Sequence, residues 1–340
     1  MAKVMSRSPQ GSASDPFLER AAHPFKRRIT ILGQLFFMES NSPRLLRLVD
    51  AAYSGLPAHR LRAQSEPINL RLHLAPSARP DSTPFPPDMQ MHGARGLLCG
   101  AMDSRNYAVL SPASRVGLVV VSRELLKYPY EARYQLIEFA VFTLASRGQG
   151  LIPLHAACIG LNGRGLLLIG ASGAGKSTLA MLCASRGMDF LTEDATFIAP
   201  ESMLGTGVTN YLHIRKDSLR FVDDRRIVTL IRKSPIIRRR SGVEKYEVDL
   251  RNTGFNLADT PLDIAGIVFV TMRRSHGALL TQLRSSQLIA RLLVGQSYAA
   301  AQPGWGAFAR RVRKLPAYEL RRGQHPLESA GMLRNLLGSC

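Results

Sequence analysis

The residues best suited to chemistry are Gly170, Ala171, Ser172, Gly173, Ala174, Gly175, Lys176 and Ser177, with Thr178 directly after them. They fit G-x-x-x-x-G-K-[ST], a loop that cradles phosphate. Its glycines let backbone N–H groups turn toward phosphate oxygens, a conformation that side chains would hinder. Lys176 can reach the outer phosphates as a point charge, and Ser177 offers a hydroxyl to a magnesium ion. A phosphate-bearing ligand with magnesium is therefore expected on the loop. A second group follows in Glu193 and Asp194, 17 and 18 residues after Lys176. Phosphoryl transfer needs acids for the metal and a group that positions or deprotonates the nucleophile. The third candidate is His155, between Leu154 and Ala156. A lone histidine on a strand is usually a packed core residue, but its place just before the loop favours a role at the site.

These groups need elements to hold them. Leu166 to Ile169 is an apolar run of buried-strand type, and Thr178 to Leu182 reads as a helix, so the loop has the strand–loop–helix context it requires. The helix would aim its positive end at the bound anion. It ends near Arg186-Gly187. Leu154 to Leu161 reads as one strand carrying His155, and Asn162-Gly163 is a hairpin turn that returns the chain into the loop strand. Phe190 to Asp194 reads as a strand ending in two acids, which brings them back to the sheet edge beside the loop. Thr196 to Ile198 continues as another strand, and Ile264 to Val270 is a buried one. Residues 205–251 read as short strands and loops. Helices are expected over Ser286 to Tyr298 and Pro326 to Leu337.

The first part of the chain carries no motif of known chemistry. Residues 1–27 read as a disordered basic arm. Over residues 28–148, an α+β domain of unknown role, a strand is expected near Ile29 to Phe37 and a capped helix after Ser42-Pro43. Alternation at Ile68, Leu70, Leu72 and Leu74 gives another strand. Two more are expected at Asn106 to Leu110 and Val116 to Val121. Tyr134, Ile137, Val141 and Leu144 recur at helical spacing up to Arg147-Gly148. A Pro-rich loop covers Pro76 to Pro87. A second domain is expected over residues 149–340.

With 340 residues, 45% of them hydrophobic, the chain can bury a sizeable core. Four cysteines without metal or disulfide spacing, no apolar run of membrane length and no signal-peptide core point to a soluble, cytoplasmic protein. The net charge of +20 invites a nucleic-acid reading. Only eight of the 45 basic residues are lysines, however, and the dense zone from Arg215 to Arg251 is interleaved with acids and lacks regular aromatic spacing. The charge fits a solvated or substrate-attracting face better, with an acidic partner, no membrane, and homo-oligomers left open.

The segment from Leu154 to Ile198, LHAACIGLNGRGLLLIGASGAGKSTLAMLCASRGMDFLTEDATFI, resembles the HPr kinase/phosphorylase family and, more distantly, the phosphoenolpyruvate carboxykinases that share its core. The order is the same: a histidine, a hairpin, a phosphate loop, a helix ending in Arg-Gly, and an acid pair close behind. Transporter ATPase and GTPase signatures are absent. The resemblance implies an α/β phosphate-loop kinase core with a mixed sheet. It places His155 near the γ-phosphate and Lys176 and Ser177 on phosphate and metal. Asp194 or Glu193 becomes the base toward a serine hydroxyl, with Asp194 a metal partner. The family's usual Asp-Asp is Glu193-Asp194 here, and the family's downstream Glu-Ile-Arg-Gly has its nearest counterpart in His213-Ile214-Arg215-Lys216.

The resemblance thus implies an ATP-dependent serine kinase that acts on a protein or peptide and holds magnesium ATP on residues 170–178, with nucleotide-binding scaffold or sensor as the alternative. The layout is similar to divergent members that tailor peptide natural products such as lasso peptides. Lys245, Arg273 and Arg274 are further cations that could meet phosphate, each with an ordinary surface role as the alternative. Arg238-Arg239-Arg240 reads as a surface loop, and His213 has no assigned role.

Overall fold

A computed structural model of the protein describes residues 15, 17, 19–61, 66–76, 86–239, 242–275 and 277–338. Most of the expected arm and of the Pro-rich loop, together with Arg240, His276 and Cys340, lie outside these residues. The chain is α/β with several mixed sheets. None of the described helices is long and apolar enough to cross a membrane.

A seven-stranded sheet is formed in the spatial order Phe25–Ile31, Gln34–Ser40, Ile68–Ala75, Val116–Ser122, Asn106–Ser111, Leu97–Asp103, Gln90–Ala94. Its first strand begins inside the span read as an arm. The single strand expected near Ile29 to Phe37 is instead a hairpin, turned by Leu32 and Gly33, both at positive φ (51° and 77°). That conformation matches the twist of paired strands. Alternation along the three central strands puts Phe36, Met38, Leu70, Leu72, Val119 and Val121 on one face. The helices Pro43–Tyr53 and Phe139–Gln149 cover that face. Ser42 caps the first helix by accepting from the Arg44 N–H. The second starts earlier than periodicity suggested: Pro129–Glu131 leads into wide π-type turns over Ala132–Glu138. Such turns shift the register of the side chains that follow and recur at functional sites.

The nine-stranded sheet carries the glycine-rich loop 170–177 at the end of Arg164–Ile169. Its main order is Asp189–Thr192, Ala157–Leu161, Arg164–Ile169, Leu262–Arg274, Leu204–Thr206, Ala195–Ile198, Ile152–His155. Ala317–Arg322 and Leu280–Gln282 extend it beside Leu262–Arg274. Arg164–Ile169 and Leu262–Arg274 run parallel. The Asn162-Gly163 turn has positive φ at both positions, as the sequence suggested. The strand expected from Leu154 to Leu161 is two strands. The backbone turns at Ala156, where its N–H bonds the Leu154 carbonyl at 2.9 Å. The two pieces then pair with different partners. A small third sheet joins Tyr211–Ile214, Glu244–Asp249 and Ile236–Arg238. Residues 205–251 also hold a helix, Arg225–Lys233, which the sequence reading missed. Asp224 caps it, and Ile231 is its buried residue.

The first part of the chain is tied to the second by specific polar contacts. Arg251 donates to the Ser54 and Ala51 carbonyls at 2.7 and 2.8 Å, and the Tyr211 hydroxyl donates to Ala51 at 2.9 Å. These cations and donors satisfy carbonyls left open at the end of Pro43–Tyr53. His59 is buried with Nε2 on the Ala258 carbonyl at 2.8 Å and Nδ1 on the Thr206 hydroxyl at 2.7 Å. A carbonyl only accepts, so Nε2 carries the proton and Nδ1 accepts from Thr206.

One glycine fixes the loop to the sheet. A Cβ on Gly170 would lie 2.4 Å from the Val270 carbonyl oxygen, on the backbone of the parallel neighbour. Gly170→Ala should therefore cost about 1–3 kcal/mol of stability, as overpacking against rigid backbone does. Chemical denaturation reads this, and an unchanged midpoint would show that the strands can separate.

Candidate active site

Lys176, His155 and Asp194 form one hydrogen-bonded chain. Lys176 opens the helix Lys176–Ala184 directly after Gly175, whose φ of 107° only glycine adopts easily. Its Nζ donates to the Gly170 carbonyl at 2.6 Å and lies 3.3 Å from His155 Nε2. His155 Nδ1 lies 2.9 Å from Asp194 Oδ1, and the Tyr134 hydroxyl donates to Asp194 Oδ2 at 3.4 Å. One proton arrangement satisfies all of these contacts. Lys176 donates to Nε2, Nδ1–H donates to Asp194, and Asp194 is an ionised acceptor. Burial alone would raise the Asp194 carboxyl. The His155 hydrogen bond, with the Arg239 and His213 charges, outweighs it and holds the group below the usual carboxylate range. Burial lowers the Lys176 ammonium, with Asp194 opposing.

The register explains how these residues meet. Ala195 pairs with His155 across the antiparallel strands Ile152–His155 and Ala195–Ile198. His155 is thus set at the end of one strand, and Asp194 immediately before the other. Gln296 holds the His155 backbone from both sides. Its Oε1 accepts from the His155 N–H at 2.8 Å and its Nε2 donates to the His155 carbonyl at 3.1 Å. Gln296→Ala should leave a partly buried N–H and C=O without these partners. We expect a loss of about 1–3 kcal/mol in stability by denaturant titration. A variant as stable as the parent would show that the amide clamp contributes nothing.

Glu193 and Asp194 face different surroundings. The strand Asp189–Thr192 ends before them. Glu193 is buried, and its Oε1 meets His213 Nδ1 at 2.7 Å. His213 Nε2 meets Glu247 Oε1 at 3.2 Å. Glu247 in turn pairs with Arg133, whose Nε lies 3.2 Å from Glu138 Oε1. All five groups are buried. Burial opposes charge on His213, but the Glu193 charge and the hydrogen bonds to Glu193 and Glu247 raise it to about 9. His213 is therefore an imidazolium donating to a carboxylate on each side. Burial would raise Glu247, yet the His213 hydrogen bond and Arg133 hold it down.

This has a consequence for pH. A folded value near 9 lies above the ordinary value near 6.5. The stability that charged His213 contributes is complete below about 6.5 and is lost as pH rises through about 9. Denaturant midpoints should fall over that window, and His213→Gln should flatten the fall. An equal slope in the variant would assign it to other groups.

Several of these residues were invisible as site residues in the sequence. Tyr134, Arg133 and Glu138 come from the π-type turns of the first part of the chain. Arg239, read as surface, lies over the Tyr134 ring at 5.3 Å, and Tyr130 stacks on Tyr134 at 5.3 Å. Burial lowers Lys245, while its nearest charges include Glu193, Arg239 and Asp194. Lys245 has no ion-pair partner among the described residues. Arg273 and Arg274 are exposed at the end of Leu262–Arg274. The Thr178 hydroxyl, expected at the ligand, is hydrogen-bonded to the Ser218 hydroxyl at 2.9 Å. Cys158 and Cys183 are buried thiols, the latter pushed up by burial to about 12.

The described residues contain no cluster of three or more His, Cys, Asp or Glu arranged to hold a metal by themselves. Glu193 Oε2 is nonetheless a buried oxygen without a hydrogen-bond partner, next in sequence to the ionised Asp194. Two carboxylates and the Ser177 hydroxyl are hard oxygen donors. They suit magnesium, which takes one or two carboxylates and completes its shell with phosphate oxygens and water.

No protein-family model matches this chain, and no curated protein matches it. Among solved structures, the Hpr(Ser) kinase/phosphatase from Coxiella burnetii is similar at 12% identity, with a TM-score of 0.27. That alignment covers 54% of this chain and 94% of the other.

Proposed function

We propose that the chain is an ATP-dependent serine kinase that transfers the γ-phosphate to a hydroxyl of a protein or peptide. The observation that carries this reading is the chain from Lys176 through His155 to the ionised Asp194. It starts in a loop of phosphate-binding sequence. A cation for phosphate and a base for a hydroxyl thus stand within one hydrogen-bonded unit. The resemblance of residues 154–198 to HPr kinases supports the same assignment.

In this reading the loop N–H groups and the end of Lys176–Ala184 hold the phosphates. Lys176 leaves the Gly170 carbonyl to meet the outer phosphate. Asp194 accepts the proton of the acceptor hydroxyl, and His155 keeps its orientation. The acceptor oxygen forms its bond to the γ-phosphorus as the bond to the ADP oxygen breaks. Ser177 and Asp194, with Glu193 Oε2, would hold magnesium, which supplies charge neutralisation between the phosphates. Catalysis is then positioning and charge stabilisation.

The test uses the full chain with magnesium and γ-labelled ATP. Binding is read with a fluorescent ATP analogue, and transfer is read to a panel of serine-containing peptides. Labelled phosphoserine supports the reading. Nucleotide binding without any transfer would favour a scaffold or sensor, and no nucleotide binding would remove the reading altogether.

A further inference from the structure

The seven-stranded sheet has a second face that no helix among the described residues covers. Register defines it in two transverse rows. One runs Arg28, Phe37, Asn69, Val116, and the other Lys26, Glu39, Arg71, Leu118. Val109 continues the second row across Asn106–Ser111. These residues line a shallow groove of about 1190 Å³. Phe37 and Val116 are 41% and 42% exposed, and Leu97 at the far side is 53% exposed. The middle pairings, Gln34–Ser40 with Ile68–Ala75 and Ile68–Ala75 with Val116–Ser122, are parallel. Parallel strands are normally covered on both faces. The face is divided: cations gather over the first strand, and the apolar residues Val116, Leu118 and Val109 gather on the other side.

The charges say what covers it. Arg27 and Arg71 are paired with Asp50 and Glu39 at 2.6 and 2.7 Å. Lys26 and Arg28 have no ion-pair partner among the described residues, and the Arg28 guanidinium lies 5.7 Å from the centre of the Phe37 ring. The groove lining carries four cations (Lys26, Arg27, Arg28, Arg71) and one acid (Glu39), a net of +3. A second copy would bring another cationic face from a chain of net charge +20. Nucleic acid finds few aromatic faces to stack on and meets Glu39 in the second row. We infer that this face docks an extended peptide with carboxylates at one end and bulky apolar residues at the other. The carboxylates lie over Lys26 and Arg28, and the apolar residues lie over Val116, Leu118 and Val109. From Phe25–Ile31 to Asn106–Ser111 is four strand spacings, about 19 Å, the length of about six extended residues. That this peptide is the kinase acceptor or its leading segment rests on the proposed function; the docking itself does not. Docking would raise the local concentration of a tethered serine at the site.

The probe is a short fluorescein-labelled peptide with a Phe-Leu-Leu block joined to a Glu-Glu-Glu block. Anisotropy with the full chain should show binding that weakens as salt is raised. Replacing the glutamates by lysines, or the apolar block by serines, should weaken binding at least ~10-fold. Lys26→Glu with Arg28→Glu should do the same and leave the affinity for the ATP analogue unchanged. Phe37→Ser tests the apolar half separately, so misfolding of one variant does not decide the matter. Binding equally tight to the lysine probe, or unchanged in both variants, would overturn the inference. So would displacement of the peptide by a single-stranded oligonucleotide at lower concentration than by excess unlabelled peptide, or a concentration-dependent dimer that blocks the face. Lys176→Ala should keep the probe's affinity. If the parent chain binds the probe but transfers phosphate to no serine-containing peptide, that counts against the kinase reading and not against the docking face.

Discussion

Lys176→Ala and Asp194→Asn should each lower γ-phosphate transfer by about 10³-fold or more while leaving the protein folded. The two losses should differ in kind. In the proposed reaction Lys176 supplies charge to phosphate, so its removal should weaken both nucleotide binding and transfer. Asp194 acts on the acceptor proton, so Asp194→Asn should bind nucleotide nearly as well and fail at the chemical step. The amide keeps the shape and can still accept from Tyr134, but it cannot take up a proton as the carboxylate does. The Asp194 side chain is partly exposed and Lys176 is buried, so Asp194→Asn is the milder change for the fold. Single-turnover transfer alongside nucleotide titration separates the cases. Full transfer in either variant would refute the assignment of these residues.

Breaking the buried charge chain should have the largest effect on stability. Arg133→Met leaves Glu247 and Glu138 facing each other without their common cation, and Glu247→Leu leaves Arg133 and His213 short of an acceptor. Removing one partner of a buried pair typically costs about 3–5 kcal/mol, because a charge stays in the interior without compensation. The double variant Arg133→Met with Glu247→Leu should lose less than the sum of the two singles. Denaturant titration of all four proteins reads this cycle, and strict additivity would show that the pair is not coupled. Transfer activity should fall with stability, since the same chain ends on Glu193 beside Asp194.

What the sequence made legible was local. A glycine-rich loop between an apolar run and a helix announces itself within about ten residues, and so does the turn at Asn162-Gly163. Asp194 was readable because a strand end near a loop is set by short-range spacing. The rest of the site depends on pairing at long range. Nothing local to Tyr134 indicates that wide helical turns will present it to Asp194, 60 residues away. Its apolar periodicity marked a helix but not the register shift within it. Gln296 was masked for the same reason, since its partner is a backbone 141 residues distant. The helix Arg225–Lys233 escaped because its apolar residues, Ile227, Val228, Leu230 and Ile231, fit a short strand as well as a helix over so short a run, and Asp224 alone signalled its start. His213 had a sequence signal of sorts: it occupies the place of a glutamate in the family pattern. Its function as a cationic bridge requires Glu193 and Glu247 on both sides, which only the small third sheet and the strand end provide.

The pairing of Ile152–His155 with Ala195–Ile198 also sorts the motions of the site. His155 and Asp194 ride on one two-stranded ribbon, so bending or rocking of that ribbon carries both together and cancels in their separation. Lys176 stands on a different strand and helix, so the same motion appears in full between its Nζ and the imidazole. The ribbon thus filters common-mode fluctuation out of the acid–histidine contact and concentrates it in the lysine contact. In the proposed reaction that lysine contact is the one that opens when phosphate enters.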